Sequence, residues 1–111
     1  MSESSVADGA GMASRHAVLH ILNKPPGHAR TRLCFATLAA TDALVLIEDA
    51  VLALASGLET SAAVYALGPD LAARGLAARG LAADNGQTGV IMIDYEELVA
   101  LAAGADKTVS W

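Results

Sequence analysis

The sequence predicts a small α/β domain, namely a doubly wound, mainly parallel sheet with helices on both faces. Short aliphatic runs alternate along the chain with segments of helix-forming composition. The runs are apolar throughout, which is typical of parallel strands that are covered on both faces. Polar or turn-forming residues follow each run. Parallel strands joined by helices require right-handed crossovers, and these crossovers produce a doubly wound sheet.

Bulk composition narrows the class of protein. The chain has 111 residues, a formal net charge of -5 and 54% hydrophobic residues. Its length fits one domain, and its longest apolar stretches are too short to span a membrane. The acidic balance disfavours direct binding to nucleic acid, whose affinity depends on basic clusters. No export signal opens the chain, so we expect a cytoplasmic protein. Its many alanines and few aromatic residues favour oligomerisation.

The first part of the chain predicts a leader, a strand and a helix. Residues 1–14 are small, polar and aperiodic, and we expect a disordered leader before a single domain over residues 15–111. The aliphatic run 17–22 suits a buried strand. The segment Asn-Lys-Pro-Pro-Gly at 23–27 then predicts a turn, because proline lacks an amide donor and glycine permits unusual dihedral angles. A helix is expected over residues 30–40.

The middle of the chain predicts two further strands. Residues 43–47 form a continuous apolar run, and Glu48-Asp49 ends it. Asp49 is expected to cap a helix over residues 50–55, which Gly57 would close. The run 64–67 predicts the third strand.

The last third contains a short repeat and two more strands. Leu-Ala-Ala-Arg-Gly occurs at 71–75 and again at 76–80, and its period of five predicts short helical turns or one frayed helix. The remaining expected elements are a loop at 84–89, a strand at 90–93, a helix after the cap Asp94 through Ala103, and a final strand within 107–111.

Cys34 is the single cysteine, so it cannot form an internal disulfide. The sequence places it near a helix start and four residues after Arg30, and both features would lower the pKa of a thiol. A thiolate can attack a sulfane sulfur, so this placement suits a persulfide acceptor. A buried, inert cysteine packed against Leu33 and Leu38 explains the same sequence equally well. Both interpretations stay open on physical grounds.

The other candidate residues follow the predicted strands. Asn23, Lys24 and Asp49 lie where ligands bind in open parallel sheets, although turn and capping roles are also expected there. His16 and His20 are predicted to share one face of the first strand. With His28 they match no metal-ligand spacing, so we expect no metal site. His20 could hydrogen-bond the loop that follows it. No catalytic triad or phosphate-binding loop supports an enzyme or a cofactor.

Five segments of the chain form an ordered set of motifs. They are Leu-His-Ile-Leu-Asn-Lys-Pro at 19–25, Leu-Val-Leu-Ile-Glu-Asp-Ala-Val at 44–51, Val-Tyr-Ala-Leu-Gly-Pro-Asp-Leu-Ala-Ala-Arg-Gly at 64–75, Ile-Asp-Tyr-Glu-Glu-Leu-Val at 93–99 and Ser-Trp at 110–111. Together these segments resemble the DsrH/TusB family of sulfur-relay proteins, and the resemblance extends over residues 17–111 in unchanged order. Two positions depart from the family pattern, Ala50 in place of glycine and Leu52 in place of tyrosine.

The resemblance implies a DsrE-like fold and a role in an assembly that carries sulfur as protein persulfide. The implied partners are DsrE/TusD-like and DsrF/TusC-like subunits, in a heterohexamer with two copies of each chain, together with sulfur donor and acceptor proteins. The implied pathway is intracellular sulfur oxidation for DsrH-like members or 2-thiolation of the tRNA wobble uridine for TusB-like members. Cys34 matches a position where DsrH-like members commonly have cysteine, which favours that branch.

Two functional hypotheses follow. In the first, Cys34 is a secondary persulfide carrier, supported by Arg30, His20, Asn23, Lys24 and Asp49, while the principal carrier lies on the DsrE/TusD-like partner. In the second, the chain is a structural subunit that completes the assembly, and Cys34 is dispensable. An independent enzyme has no catalytic residues to support it.

Overall fold

A computed structural model describes residues 16–76 and 90–111 of the chain. Strands and helices alternate along it. The strands are β1 (Val18–Leu22), β2 (Ala43–Leu46), β3 (Ala63–Leu67), β4 (Val90–Ile93) and β5 (Lys107–Ser110). The helices are α1 (Ala29–Thr37), a 3-10 helix (Glu48–Leu52), α2 (Ala53–Ser56), α3 (Gly68–Ala73) and α4 (Tyr95–Gly104).

The five strands form one sheet in the order β4-β3-β2-β1-β5, and every neighbouring pair is parallel. The chain adds β2, β3 and β4 in succession on one side of β1, then crosses back to place β5 on the other side. Right-handed crossovers in the two directions put helices on opposite faces of the sheet. The doubly wound α/β fold predicted from the sequence is therefore confirmed.

Two apolar clusters lie on the two faces of this sheet. The first includes Leu22 and Leu46 of the strands, together with Cys34 of α1, Val51 of the 3-10 helix and Leu71 of α3. The second cluster lies under α4. It comprises Leu19, Ala43, Val45, Tyr65, Leu67, Ile93 and Leu101. Successive strand residues point to opposite faces, so the continuous apolar runs serve both clusters.

The helix expected after Asp49 differs from the one observed. A 3-10 helix begins at Glu48, and α2 follows it, without a side-chain cap at either start. The Asp49 carboxylate contacts Arg74 instead, so the predicted capping role is wrong. The glycine at the end is confirmed, because Gly57 follows Ser56 with a φ of 92° that favours glycine.

The last helix confirms its predicted start. The Asp94 carboxylate accepts from the amide of Glu97 at 2.8 Å, and the Glu97 side chain accepts from the amide of Asp94 at 2.9 Å. This reciprocal capping box satisfies two amides that have no partner within the helix. The helix extends through Gly104, one residue beyond the predicted end.

Several expectations lie outside the described residues. They are the leader over residues 1–14, most of the second repeat unit and the loop at 84–89. Residues 71–73 of the first repeat unit form the end of α3, and the Gly75 that closes this unit has a φ of 72°. No helix in residues 16–76 and 90–111 is both long and apolar enough to cross a membrane.

Candidate functional site

Cys34 lies deeper in its helix than the sequence indicated. Helix α1 begins at Ala29, so Cys34 is the sixth of its nine residues. The Cys34 carbonyl accepts from the amide of Leu38 at 3.2 Å, at the C-terminal end of the helix. Cys34 lies beyond the first turn of α1, and the helix dipole acts mainly within the first and last turns. The helix start therefore gives this thiol little stabilisation as an anion.

Burial dominates the chemistry of Cys34. The residue is 0% exposed and belongs to the apolar cluster that also contains Leu22 and Leu44. This burial raises the pKa of the Cys34 thiol to about 11, because an apolar environment disfavours the thiolate. Arg30, in contrast, is exposed on the helix surface. The expected lowering of the thiol pKa is thus wrong, since desolvation outweighs any attraction to Arg30.

His20 is a buried histidine with both ring nitrogens engaged. It is 2% exposed, and the indole Nε1 of Trp111 donates to its Nδ1 at 3.0 Å. Its Nε2 lies 3.0 Å from Oδ2 of Asp42. An indole nitrogen is only a donor, so Nδ1 must accept, and the ring proton of the neutral form sits on Nε2, which donates to Asp42. The two rings also stack, with centroids 6.0 Å apart at 20°.

His20, Trp111 and Asp42 form one hydrogen-bonded group, and Asp42 is the residue of this group that the sequence did not indicate as a candidate. The residue is 5% exposed, and its Oδ2 also accepts from the amide of Ala39 at 3.0 Å. Burial raises the pKa of the carboxyl group, but the hydrogen bonds from Ala39 and His20 outweigh this effect and leave the pKa below its usual value. The sequence feature that could have indicated it is its position one residue before β2, because β2 pairs with β1, the strand that contains His20.

Lys24 joins the end of β1 to the last residue of the sequence. Its Nζ donates to the main-chain oxygen of Trp111 at 2.8 Å and to Oδ1 of Asn23 at 2.6 Å. The amide of Trp111 donates to the carbonyl of Ile21 at 2.9 Å. With the indole bond to His20, these contacts fix Trp111 over the end of the sheet. The segments at 19–25 and 110–111 thus form one connected structural unit.

A second group of polar contacts joins the loops after β2 and β3. Arg74 donates to Oδ1 of Asp49 at 2.9 Å, and Oδ2 of Asp70 accepts from the amide of Glu48 at 2.7 Å. Glu48 has a φ of 52°, in the left-handed region that non-glycine residues rarely adopt. The Asp70 carboxylate holds this amide in place. Asp49 therefore contributes to a surface network rather than to the surroundings of Cys34.

The three histidines do not form a common site. His16 precedes β1, and its Nε2 lies 3.3 Å from the hydroxyl of Tyr65, which belongs to the cluster under α4. His20 instead contacts Trp111, which packs on the opposite cluster, so the predicted common face for His16 and His20 is wrong. His28 caps α1 by accepting from the amide of Arg30. Within the described residues, no group of three His, Cys, Asp or Glu side chains could hold a metal ion.

These observations place the chain among the small α/β proteins with a five-stranded parallel sheet, and it has a buried cysteine and a histidine hydrogen-bonded to a tryptophan. The chain belongs to the DsrH/TusB family. The model of the family described as DsrH like protein matches residues 24–108. Protein TusB of Pectobacterium atrosepticum is 32% identical over an alignment of 101 residues, and the match covers 85% of this chain and 100% of that protein. Protein TusB of Pectobacterium carotovorum is 31% identical over the same shares.

Two solved structures have a similar fold. The solution structure of protein Tm0979 from Thermotoga maritima is 30% identical, with a TM-score of 0.57, and the match covers 78% of this chain and 92% of that one. The crystal structure of the ychN protein from E. coli has a TM-score of 0.61 at 17% identity, and the match covers 86% of this chain and 99% of that one. The second similarity concerns the fold alone.

Proposed function

We propose that this chain is a structural subunit of a sulfur-relay assembly, in which a cysteine on a partner chain carries the persulfide. Family membership supports the relay, through the role that the sequence resemblance implies for DsrH/TusB proteins. The proposed partners are the DsrE/TusD-like and DsrF/TusC-like subunits in a heterohexamer. The proposed pathway is cytoplasmic sulfur oxidation or wobble-uridine 2-thiolation.

The burial of Cys34 is the observation that favours the structural role. Persulfide transfer requires a thiolate to attack the outer sulfur of the donor, forming a new S–S bond while the donor leaves as its own thiolate. The attacking sulfur must therefore be both ionised and accessible. Cys34 is 0% exposed, and burial raises its pKa to about 11. Cys34 therefore meets neither requirement while α1 is packed on the sheet.

The second candidate function is the secondary carrier proposed from the sequence. In that case Cys34 accepts sulfur only when α1 moves and exposes the thiol to a partner. The position of α1 favours this candidate, because the loop before α1 lies at the carboxyl ends of the strands, where parallel sheets bind their ligands. Arg30, on the first turn of α1, would then meet the incoming sulfur donor.

Intact mass spectrometry distinguishes the two functions. The chain is incubated with glutathione persulfide, alone and in complex with coexpressed partner subunits, and the intact mass of each subunit is measured. The structural role predicts an added sulfur on a partner chain and none on this chain, with the same result for the matched Cys34→Ala complex. An added sulfur on the wild-type chain that disappears in Cys34→Ala would establish the carrier and refute the structural role.

A further inference from the structure

The two hydrogen bonds of the His20 ring respond differently to protonation. We call His20, Asp42 and Trp111 the His20 group. The indole Nε1 of Trp111 donates to Nδ1 of His20 at 3.0 Å, and Nε2 of His20 donates to Oδ2 of Asp42 at 3.0 Å. An indole nitrogen can only donate, so the contact with Trp111 requires an unprotonated Nδ1. A carboxylate accepts from Nε2 whether the ring is neutral or charged. Protonation of His20 therefore removes the first contact and keeps the second.

Asp42 makes a charged ring possible at this buried position. A buried histidine loses solvation when it becomes charged, which disfavours protonation. The Asp42 carboxylate opposes this effect, because its pKa lies below the usual value and it is therefore ionised in the pH range in which histidines titrate. A protonated His20 would gain an ion pair with Asp42 and lose the hydrogen bond from Trp111. The group thus has two alternative arrangements that differ by one proton.

The other charged groups near this part of the sheet are engaged elsewhere. The strand neighbours of His20 on β2 and β5 are apolar. Lys24, after the end of β1, donates to the main-chain oxygen of Trp111 and to Asn23. On α1, Cys34 stays neutral in acid, since burial raises its pKa to about 11. The 3-10 helix contributes Asp49, which forms an exposed ion pair. Within the described residues, Asp42 is thus the charged group in contact with the ring.

We propose that His20 is a pH-sensitive switch that holds the indole of Trp111 while the ring is neutral and releases it when the ring is protonated. In the bound form, Trp111 packs on the apolar cluster that contains Cys34. The main chain of Trp111 is held separately. Its amide donates to the carbonyl of Ile21 at 2.9 Å, and its oxygen accepts from Lys24 at 2.8 Å. Release therefore moves the indole and leaves β5 in the sheet.

The consequence is an apolar surface whose exposure depends on pH. Trp111 follows the end of β5, so its release uncovers part of the apolar cluster near the carboxyl ends of the strands. Exposed apolar area of this kind favours binding to other molecules. The switch requires only the residues of the His20 group, and it does not depend on the sulfur-relay function.

The fluorescence of Trp111, the single tryptophan of the chain, tests this switch. Acrylamide quenching of the full-length chain is measured from about pH 8 to about pH 5, the range in which histidine changes its charge. Far-UV circular dichroism is recorded on the same samples. As the pH falls, the quenching constant should rise roughly threefold or more, because the indole leaves its apolar cover, while the dichroism stays constant.

Two variants assign the transition to the His20 group. Asp42→Asn keeps an oxygen that can accept from His20 and from the amide of Ala39 but removes the charge. Its transition should move to lower pH by about one unit or more, because the charged ring loses its counter-ion. His20→Asn removes the titrating ring, so its quenching should not change with pH. His16→Asn and His28→Asn are the matched controls, and both should keep the wild-type transition.

Three results would overturn the proposal. The first is a quenching constant of the wild type that does not change over this pH range. The second is a transition that Asp42→Asn and His20→Asn leave at the wild-type pH, since another group would then cause it. The third is a rise in quenching that coincides with loss of circular dichroism, because acid would then unfold the chain instead of releasing the indole. If His20→Asn fails to fold, the shift in Asp42→Asn decides.

Discussion

The sequence and the structure favour different roles for Cys34. A cysteine four residues after an arginine and near a helix start suggests a reactive thiolate. The helix begins at Ala29, one residue before its predicted start, so burial and not the helix start decides the outcome. Cys34 lies with Thr31 on the side of α1 that is buried, and desolvation controls its ionisation. This burial favours the interpretation of Cys34 as a buried, inert cysteine over that of a reactive thiolate.

The reactivity of Cys34 gives the first prediction. A pKa raised from 9.0 to about 11 lowers the thiolate fraction near pH 8 about 100-fold, and burial slows the reaction further. We expect alkylation by iodoacetamide at pH 8 to be at least 100-fold slower in the native chain than in urea. Mass spectrometry over time measures both rates. A native rate within tenfold of the unfolded rate would show that the thiol is accessible.

The same pKa predicts a loss of stability in alkali. A group whose pKa is raised on folding stabilises the fold below its unfolded pKa, and this contribution is lost as the pH rises through the folded value. We expect the free energy of unfolding to decline between about pH 9 and about pH 11. Urea titrations at several pH values measure it. Cys34→Ala should have a smaller decline over the same range, and an equal decline would mean that other groups cause it.

Asp42 gives a prediction of opposite sign. Its pKa is lowered by the hydrogen bonds from Ala39 and His20, despite burial, so its contribution is present above the unfolded pKa and is lost as the pH falls through the folded value. Asp42→Ala should destabilise the fold by about 1–3 kcal/mol at pH 7, because the buried His20 ring and the Ala39 amide both lose their acceptor. The difference from wild type should shrink toward pH 3.

Urea unfolding of wild type and Asp42→Ala at pH 7 and pH 3 measures this effect. Asp106→Ala is a suitable control, since Asp106 is exposed. A destabilisation that is equal at the two pH values would contradict the assigned role of the Asp42 charge.

At the scale of elements, the sequence predicted the strands better than the short helices. All four aliphatic runs and the β-prone end of the chain form strands, because a continuous apolar run has few alternatives to a buried parallel strand. The helix after β2 was harder to predict from the sequence. Its 3-10 start depends on the left-handed Glu48, whose amide is held by Asp70 from another loop. A contact across 22 residues leaves no local sequence signal.

The start of α4 allows a test at this scale. Asp94→Ala removes the acceptor for the Glu97 amide and should destabilise the chain by about 1 kcal/mol. Asp49→Ala is the matched comparison, because it removes an exposed ion pair with Arg74 and should cost less, roughly 0–1 kcal/mol. Thermal or urea unfolding ranks the two variants. If Asp49→Ala proved the more damaging, the network between the loops after β2 and β3 would stabilise the fold more than the helix cap does.

At the scale of the whole molecule, the family segments have a structural explanation. The segment at 19–25 and the final Ser-Trp come together because β1 and β5 are neighbours in the sheet, although they lie at opposite ends of the domain. Similarly, the segments around Asp49 and Arg74 meet across the loops after β2 and β3. The order of the segments was readable from the sequence. Which segments meet in space could be known only from the structure, because it depends on the crossover that places β5 beside β1.

The central claim is that this chain supports a sulfur relay without carrying sulfur on Cys34. The most direct test is the rate of sulfur transfer from a persulfide donor to its acceptor protein through the complete assembly. The wild-type assembly is compared with one that contains Cys34→Ala. We predict equal rates within twofold and equal assembly by light scattering. A fall of tenfold or more in the Cys34→Ala assembly, with its subunit composition intact, would contradict the claim and make Cys34 a carrier.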